Sequence, residues 1–272
     1  MDEDWTRVAL PDGELEVLDI GTGEPLLLVQ TAQVADELLL VGRLLAREHR
    51  VVLTHRRGYA GSSPTAGAGS VRRDAADCVV LLDALGIGRA HVVGLSYSGA
   101  VALELALRWP DRVHTLSLVE PPPLGVPAEP EFRAVCTDLL RTYEHEGPAA
   151  ALASFMERLV GTGWRTELDA FLPGTAAAVE RDNETFFATD IPALLGWHHT
   201  DEDARAVRAS VLHVGGTDSG PWFAQVRERV LDLVPGAEDV VVRGAGHTLA
   251  LTHAPDVAAA VSAFVRTHPL GP

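Results

Sequence analysis

Short runs of apolar residues alternate with longer amphipathic segments along most of the chain. Short apolar runs bounded by turn residues are typical of strands, whereas apolar positions three or four residues apart indicate helices. The pattern predicts strands at 6–10, 15–20, 25–29, 50–53, 91–94, 113–119, 211–214 and 239–242. It predicts helices between them at 35–49, 71–85, 97–108, 221–234 and 255–267. Such alternation indicates βαβ units around a mostly parallel sheet.

The first two strands are joined by Pro11, Asp12 and Gly13, which predicts an antiparallel hairpin. The later strands are continuous apolar runs, as expected where helices cover both faces of a sheet. Residues 120–208 break the alternation, because they contain no convincing strand. Helical stretches fall there at about 130–145, 148–160, 164–171, 175–189 and 191–198. We therefore predict a helical lid at 120–208, inserted into a core formed by residues 1–119 and 209–272.

Composition narrows the class of protein. The chain has 272 residues, 47% of them hydrophobic and 22% charged, with a net charge of −16 and two cysteines, Cys78 and Cys136. These values exclude a disordered chain and a disulfide scaffold. The acidic balance disfavours nucleic acid or an anionic membrane as a partner. The acidic start of the chain is unlike a signal peptide, and no apolar run approaches 18 residues, so we expect a cytoplasmic protein.

The strongest chemical motif lies where the fifth predicted strand meets a helix, at Gly94-Leu95-Ser96-Tyr97-Ser98-Gly99. Small residues around one serine are typical of a sharp turn that holds a nucleophile in a strained conformation. In that geometry the Ser96 hydroxyl is the nucleophile, and the Tyr97 N–H donates to an oxyanion. Ser98 replaces the last glycine of the usual G-x-S-x-G motif. The alternative is an ordinary turn in which Ser96 caps the helix.

A serine nucleophile requires a base, and the base requires an acid to orient it. His247 follows the last predicted strand and is the first choice for the base, with His253 as its rival. Asp218 follows the seventh strand and is the first choice for the acid, although it could instead cap the next helix. Glu120 ends the sixth strand and could orient His247 instead, or act as a second carboxylate near the substrate.

These motifs resemble those of α/β-hydrolase-fold proteins, specifically lid-containing serine hydrolases of the actinobacterial type. Further matching segments are 21–25, 55–63 and 109–113, so the resemblance covers nearly the whole chain. It implies the α/β-hydrolase fold, an eight-strand, mostly parallel sheet with the lid between strands 6 and 7. The fold hosts many reactions and does not by itself identify a substrate.

The chain departs from the family after the third strand. Relatives usually have His-Gly there, and this chain has Gln30, Thr31 and Ala32. Ala32 takes the position whose backbone N–H usually completes the oxyanion hole together with the Tyr97 N–H. Loss of the glycine at Thr31 alters the loop, and Gln30 could place an amide where an imidazole is common. Weakened hydrolysis or a repurposed site follows from this departure.

The sequence therefore predicts a serine hydrolase that acts on an ester, thioester or lactone of a hydrophobic small molecule through an acyl-enzyme. No metal or organic cofactor is expected. The apolar substrate is inferred from the apolar composition of the lid. Its aromatic residues and those at its border are expected to pack mostly in the lid core, with about a third in contact with substrate. These residues are Phe155, Trp164, Phe186, Phe187, Trp197 and Trp222. The alternative is a cofactor-free lyase, cyclase, epimerase or C–C bond hydrolase of secondary metabolism on the same fold. A non-enzymatic binder is a third hypothesis.

Overall fold

The structure is a computed structural model that describes residues 4–65 and 67–271. The predicted core ranges 1–119 and 209–272 thus include residues 1–3, 66 and 272, which lie outside the described part. The described residues form eight strands, β1 (Thr6–Leu10), β2 (Gly13–Ile20), β3 (Pro25–Val29), β4 (Arg50–Thr54), β5 (Ala90–Leu95), β6 (Val113–Val119), β7 (Ser210–Gly216) and β8 (Glu238–Val242). All eight predicted strands are confirmed, with ends that shift by up to two residues.

The strands form a single sheet in the order β1-β2-β4-β3-β5-β6-β7-β8. β1 pairs antiparallel with β2, which confirms the hairpin, and β2 pairs antiparallel with β4. The remaining neighbours are parallel. The carboxyl ends of β5, β6, β7 and β8 therefore lie side by side along one edge of the sheet, where the loops that follow them can meet.

Helices cover both faces of the sheet. The helices of the core are α1 (Leu39–Leu45), α2 (Val71–Ala84), α3 (Tyr97–Arg108), α10 (Pro221–Leu233), α11 (Leu249–Thr252) and α12 (Ala254–Thr267). Leu26 and Leu28 of β3 pack in one buried apolar cluster with α1 and α12, and Leu27 and Val29 pack in another with α2 and α3. Successive side chains of a strand point to opposite faces, so an unbroken apolar run is what two covered faces require.

Residues between β6 and β7 are helical, as the sequence predicts. They form α4 (Glu129–Glu146), α5 (Pro148–Leu159), α6 (Trp164–Phe171), α7 (Thr175–Thr185), a π-helical turn (Phe186–Asp190), α8 (Ile191–Leu195) and α9 (Asp201–Ala206). Several of their side chains, including Trp164 and Phe187, belong to the same buried cluster as α1 and α12. We call this segment, 120–208, the helical insertion.

Several helices differ from the predictions, since α8 ends at Leu195 where the prediction extends to 198, and α11 lies outside the predicted helices. The predicted helix 35–49 is shortened to α1, because residues 35–38 and 46–48 form turns at its two ends. Helix α9 was not predicted at all. It begins after Thr200, whose side chain forms a capping box with Asp203, a feature that short polar segments use to start a helix. Within the described ranges, no helix has the length and apolar character needed to cross a membrane.

Candidate active site

Ser96 occupies the sharp turn between β5 and α3. Its backbone angles, φ +49° and ψ −121°, lie in a region that residues other than glycine rarely adopt. The turn brings backbone segments very close together. A Cβ atom on Gly94 would lie 2.3 Å from the Ser98 carbonyl oxygen, and one on Gly99 would lie 2.7 Å from Cβ of Pro121. Both glycines are therefore needed for the turn to close.

Ser98 stands where the motif usually has its last glycine, and a local ring of hydrogen bonds accommodates it. The Ser98 hydroxyl donates to the Leu95 carbonyl and accepts from the Leu95 N–H, both at 2.9 Å. Ser96 occupies the capping position of α3, but its side chain makes no capping hydrogen bond. The structure therefore does not support the alternative in which Ser96 serves as a helix cap, and the Ser96 hydroxyl is left for another partner.

That partner is His247. Its Nε2 lies 3.1 Å from Oγ of Ser96, and its Nδ1 lies 2.7 Å from Oε2 of Glu120. The Phe223 ring stacks on the imidazole with ring centres 4.2 Å apart, which fixes the ring plane. An ionised carboxylate accepts hydrogen bonds only, so Nδ1 carries the proton of this pair, and Nε2 faces the Ser96 hydroxyl as an acceptor.

Glu120 is completely buried and follows the last residue of β6. Its φ of +43° is, like that of Ser96, in the left-handed region, and a bond from its N–H to the Val214 carbonyl, 3.0 Å long, anchors the backbone. Oε1 accepts a 2.8 Å hydrogen bond from the Gly216 N–H. Burial alone would raise the pKa of the Glu120 carboxyl. The hydrogen bond and charge of His247, together with the Gly216 bond, outweigh burial and lower the pKa below its ordinary value.

The prediction that Asp218 is the partner of His247 is corrected by this geometry. Asp218 is exposed, and its carboxylate accepts a 2.8 Å hydrogen bond from the Thr217 hydroxyl. It does not cap the next helix either, because Gly220 occupies the capping position of α10. Its backbone N–H donates to the Ala245 carbonyl, so the Asp218 turn supports the loop that carries His247 through the main chain.

The order of the strands in the sheet, which the sequence does not give, favours Glu120 over Asp218. The chain order of serine, acid and histidine is satisfied by either residue, so order does not discriminate between them. Glu120 ends β6, which pairs directly with β5, whereas Asp218 follows β7, one strand further away. His253, the rival base, lies between α11 and α12 and bonds to the Thr252 hydroxyl, so the structure favours His247.

The oxyanion-hole candidates border the same cavity as the Ser96 hydroxyl. Thr31, Ala32 and Tyr97 all line it, together with Ser96 and His247. In the described part of the chain, neither the Ala32 N–H nor the Tyr97 N–H donates to a loop carbonyl or a side chain. Gln30 does not place its amide in the cavity. Its Nε2 donates to the Thr31 carbonyl at 2.6 Å and its Oε1 accepts from the backbone N–H of Arg56 at 2.7 Å, so the amide shapes the loop from behind.

A buried arginine, which sequence reasoning missed, holds this loop. Arg56 donates through Nε to the Gln30 carbonyl at 3.0 Å and through Nη2 to the Thr31 carbonyl at 3.3 Å. Its guanidinium also lies over the Tyr97 ring, 4.2 Å from the ring centre. One side chain therefore contacts both segments that carry the candidate oxyanion donors. Arg56 is followed by a second arginine, Arg57, and nothing in the sequence distinguishes a buried arginine from an exposed one.

Two carboxylates neutralise Arg56. Asp190, at the end of the π-helical turn, accepts from Nη1 at 2.9 Å and from Nη2 at 2.7 Å, and Asp74 of α2 accepts from Nη1 at 2.9 Å. The Tyr59 hydroxyl donates to Asp190 at 2.6 Å and accepts from the Gln33 N–H at 3.0 Å. The helical insertion is thereby tied to the oxyanion loop through fully buried charge pairs.

The cavity above Ser96 has a volume of about 530 Å³ and lies between the sheet edge and the helical insertion. This is within the range of small-molecule sites. Of the six aromatic residues considered in the sequence, Phe155, Phe186 and Trp222 line the cavity. Trp164, Phe187 and Trp197 are instead buried among other side chains.

His198 and His199 are adjacent histidines in the helical insertion, close in sequence to Asp201 and Asp203. The described residues contain no group of three or more His, Cys, Asp or Glu side chains arranged to hold a metal ion. His199 stacks on the Trp197 ring, with ring centres 5.2 Å apart, which is a packing role. The expectation that no cofactor is needed stays a prediction.

Known proteins share this architecture. Residues 36–254 match the model of the alpha/beta hydrolase fold family. The polyketide synthase ThaQ of Burkholderia thailandensis is 28% identical over 94% of this chain and 12% of its own length. The carboxylesterase YbfK of Bacillus subtilis is 25% identical over 63% of this chain and 55% of its own length. The chain thus spans about an eighth of the synthase and about half of the carboxylesterase.

A solved structure, that of a thermophilic esterase from Thermogutta terrifontis with malate bound, superimposes with a TM-score of 0.82. It covers 98% of this chain and 100% of its own, at 22% identity, and at that identity the likeness concerns the fold. The family match extends over most of the chain and includes Ser96, Glu120 and His247. The chain belongs to the alpha/beta hydrolase fold family.

Proposed function

We propose that this protein is a serine hydrolase that cleaves esters of hydrophobic small molecules through an acyl-enzyme. The observation that carries the proposal is the unbroken hydrogen-bonded series from Ser96 Oγ through His247 to buried Glu120, with distances of 3.1 and 2.7 Å. A hydroxyl becomes a nucleophile when a base can take its proton, and this base is held and charge-stabilised by a carboxylate.

In the proposed reaction, Ser96 Oγ attacks the carbonyl carbon of the ester while His247 Nε2 takes the hydroxyl proton. The imidazolium that forms is stabilised by the Glu120 carboxylate. The N–H groups of Tyr97 and Ala32 receive the oxyanion of the tetrahedral intermediate. His247 then gives its proton to the leaving alcohol oxygen. Water, deprotonated by the same nitrogen, releases the acyl group and restores Ser96.

The substrate class follows from the walls of the cavity. Apolar side chains of the helical insertion, including Phe155, Leu159 and Phe186, line it opposite the serine. They favour an apolar acyl group. Thioesters and lactones present the same carbonyl chemistry, so they belong to the proposed range.

A second candidate is the biosynthetic, non-hydrolytic enzyme. One observation favours it, the alignment of a polyketide synthase along 94% of this chain. The sequence motives for it are the missing His-Gly at Gln30–Ala32 and a second carboxylate at Glu120, and that carboxylate is bonded to His247.

The test is hydrolysis of p-nitrophenyl esters of two to twelve acyl carbons, with wild type compared with Ser96→Ala. We expect turnover that falls at least 10³-fold in the variant. A fluorophosphonate reagent followed by peptide mass spectrometry should label Ser96 in the wild type. Turnover that persists in Ser96→Ala would reject the mechanism. Labelling without turnover of any ester would favour the biosynthetic candidate.

A further inference from the structure

A second carboxyl group lines the cavity above Ser96. Glu37 lies in the turn between β3 and α1, only five residues after Ala32 of the oxyanion loop. The side chain borders the cavity that contains Ser96 and His247, although the residue is only 7% exposed. It is therefore a buried polar group that faces the space reserved for substrate.

Glu37 differs from the other buried carboxylates near the site. Glu120, Asp74 and Asp190 each accept at least two hydrogen bonds from neighbouring side chains or backbone groups. Within residues 4–65 and 67–271, no hydrogen bond or ion pair reaches the carboxyl of Glu37. Neither carboxyl oxygen of Glu37 is among the fully enclosed side-chain atoms that lack a partner, so the carboxyl is accessible, and Glu37 lines the cavity. Polar groups in a mostly buried position are usually hydrogen-bonded. The missing partner of Glu37 is therefore to be sought in the cavity.

The carboxyl is held in its uncharged form. Burial first, and the negative charge of Glu120 second, raise the pKa of Glu37 to about 8. An uncharged carboxyl can donate one hydrogen bond and accept others, so it suits a ligand oxygen that accepts. A buried carboxylic acid kept neutral in this way is an established hydrogen-bond donor in other enzymes.

The surroundings also favour an uncharged partner. The other titratable or charged side chains that line the cavity are Tyr97, Glu131, Cys136, Arg158, Asp190, Asp218 and His247. The Tyr97 hydroxyl donates to Asp74. Asp190 is committed to Arg56, and His247 is committed to Ser96 and Glu120. Arg158 and Asp218 are exposed at the surface. Next to Glu37 the cavity offers apolar walls such as Val34, where a charged ligand group would lose its hydration without compensation.

We propose that Glu37 forms a polar subsite of the cavity, which binds an uncharged oxygen group, a ketone, ester carbonyl or hydroxyl, carried on an otherwise apolar acyl chain. This inference deepens the proposed function and rests on it for the placement of the acyl chain. Glu37 is a specificity-determining residue here and takes no part in the bond changes at Ser96.

The test measures binding, so it does not depend on hydrolysis. The probes are N-hexyl octanamide, its oxo derivatives at carbons 3 to 7 of the acyl chain, and its 8-amino derivative. Their Kd values are measured by calorimetry with Ser96→Ala, which cannot acylate. They are measured again after adding Glu37→Leu, which removes the polar group at similar volume, or Glu37→Gln, which keeps a neutral donor and acceptor.

We expect one oxo derivative to bind more tightly than the parent amide. Glu37→Leu should reduce that preference about five- to tenfold, the effect of one hydrogen bond, and Glu37→Gln should largely retain it. The proposal is overturned if no oxo derivative binds more tightly than the parent amide, or if that preference is equal in all three proteins. It is also overturned if the 8-amino derivative is the probe whose binding depends on Glu37. If the protein hydrolyses no ester but still prefers an oxo derivative in a way that depends on Glu37, only the proposed hydrolase activity is rejected.

Discussion

Nδ1 of His247 lies 2.7 Å from Oε2 of Glu120, a residue at the end of the strand next to the one that carries Ser96. Because Glu120 is fully buried and its pKa is lowered by the His247 contact despite the burial, it remains ionised and acts as a fixed acceptor. Asp218 is exposed, and its carboxylate accepts from the Thr217 hydroxyl and not from His247.

Glu120→Gln is therefore expected to lower kcat for a p-nitrophenyl ester by about 10³- to 10⁴-fold, because an amide permits the wrong tautomer of the imidazole. Asp218→Asn, the matched control, should change kcat less than about threefold. Steady-state kinetics and thermal unfolding of both variants check this. If Asp218→Asn produced the large loss and Glu120→Gln did not, the contact seen here would not be the functional one.

Most of the fold could be predicted from the sequence, because each strand or helix is indicated by the pattern of its own neighbouring residues. The apolar run at 25–29 and the Val- and Leu-rich segment at 113–119 give strands whose ends match the structure. The helical insertion was visible as a break in the same alternation. The predicted helix at 35–49 is longer than α1 because the amphipathic pattern continues through the turns on either side of it. Hydrophobic periodicity alone does not distinguish a helix from an adjoining turn.

Only part of the candidate active site could be predicted from the sequence. Ser96 and His247 sit in short motifs whose shape is fixed by neighbouring residues, and the structure brings them together. Choosing between Glu120 and Asp218 required the order of strands in space. Arg56 and Asp190 are 134 residues apart in sequence, and only the folded chain shows that they pair beneath the oxyanion loop.

From the close packing of the turn at Ser96 we predict the effect of adding a side chain at one of its glycines. Gly94→Ala would place a methyl group 2.3 Å from the Ser98 carbonyl oxygen, so the turn must distort. We expect a loss of stability of about 1–3 kcal/mol together with a large loss of kcat. Gly88→Ala is the control, since no atom lies within 4 Å of its added methyl group. Urea denaturation and ester kinetics measure both effects, and a fully active Gly94→Ala enzyme would contradict the model of a tightly closed turn.

The Arg56–Asp190 pair predicts a link between the helical insertion and catalysis. Asp190→Asn should destabilise the protein by about 3–5 kcal/mol, since it leaves a buried guanidinium under-neutralised. Because Arg56 holds the carbonyls of Gln30 and Thr31, kcat should also fall about tenfold or more, with a smaller change in KM.

The control for that prediction is Asp77→Asn. Asp77 accepts from Arg57 at 2.6 Å, another buried arginine, whose remaining bonds go to Asp12 and not to the oxyanion loop. This variant should also lose stability, but its kcat should be close to that of the wild type. Equal losses of kcat in the two variants would show that the effect of Asp190 is only structural.

Glu37 predicts a pH dependence of stability. Its carboxyl titrates near 4.5 in the unfolded chain, whereas burial and the charge of Glu120 raise the pKa to about 8 in the folded protein. Between these pH values the unfolded chain has released a proton that the folded protein retains, so stability is full below pH 4.5 and declines as pH rises towards 8. Glu37→Gln and Glu37→Leu abolish this decline. Relative to wild type, both should therefore gain stability from pH 5 to pH 8, by at most about 1.4 kcal/mol per unit. Urea denaturation at each pH measures the free energy of unfolding of each variant relative to wild type. If this difference did not change between pH 5 and pH 8 in either variant, Glu37 would already be ionised in the folded protein.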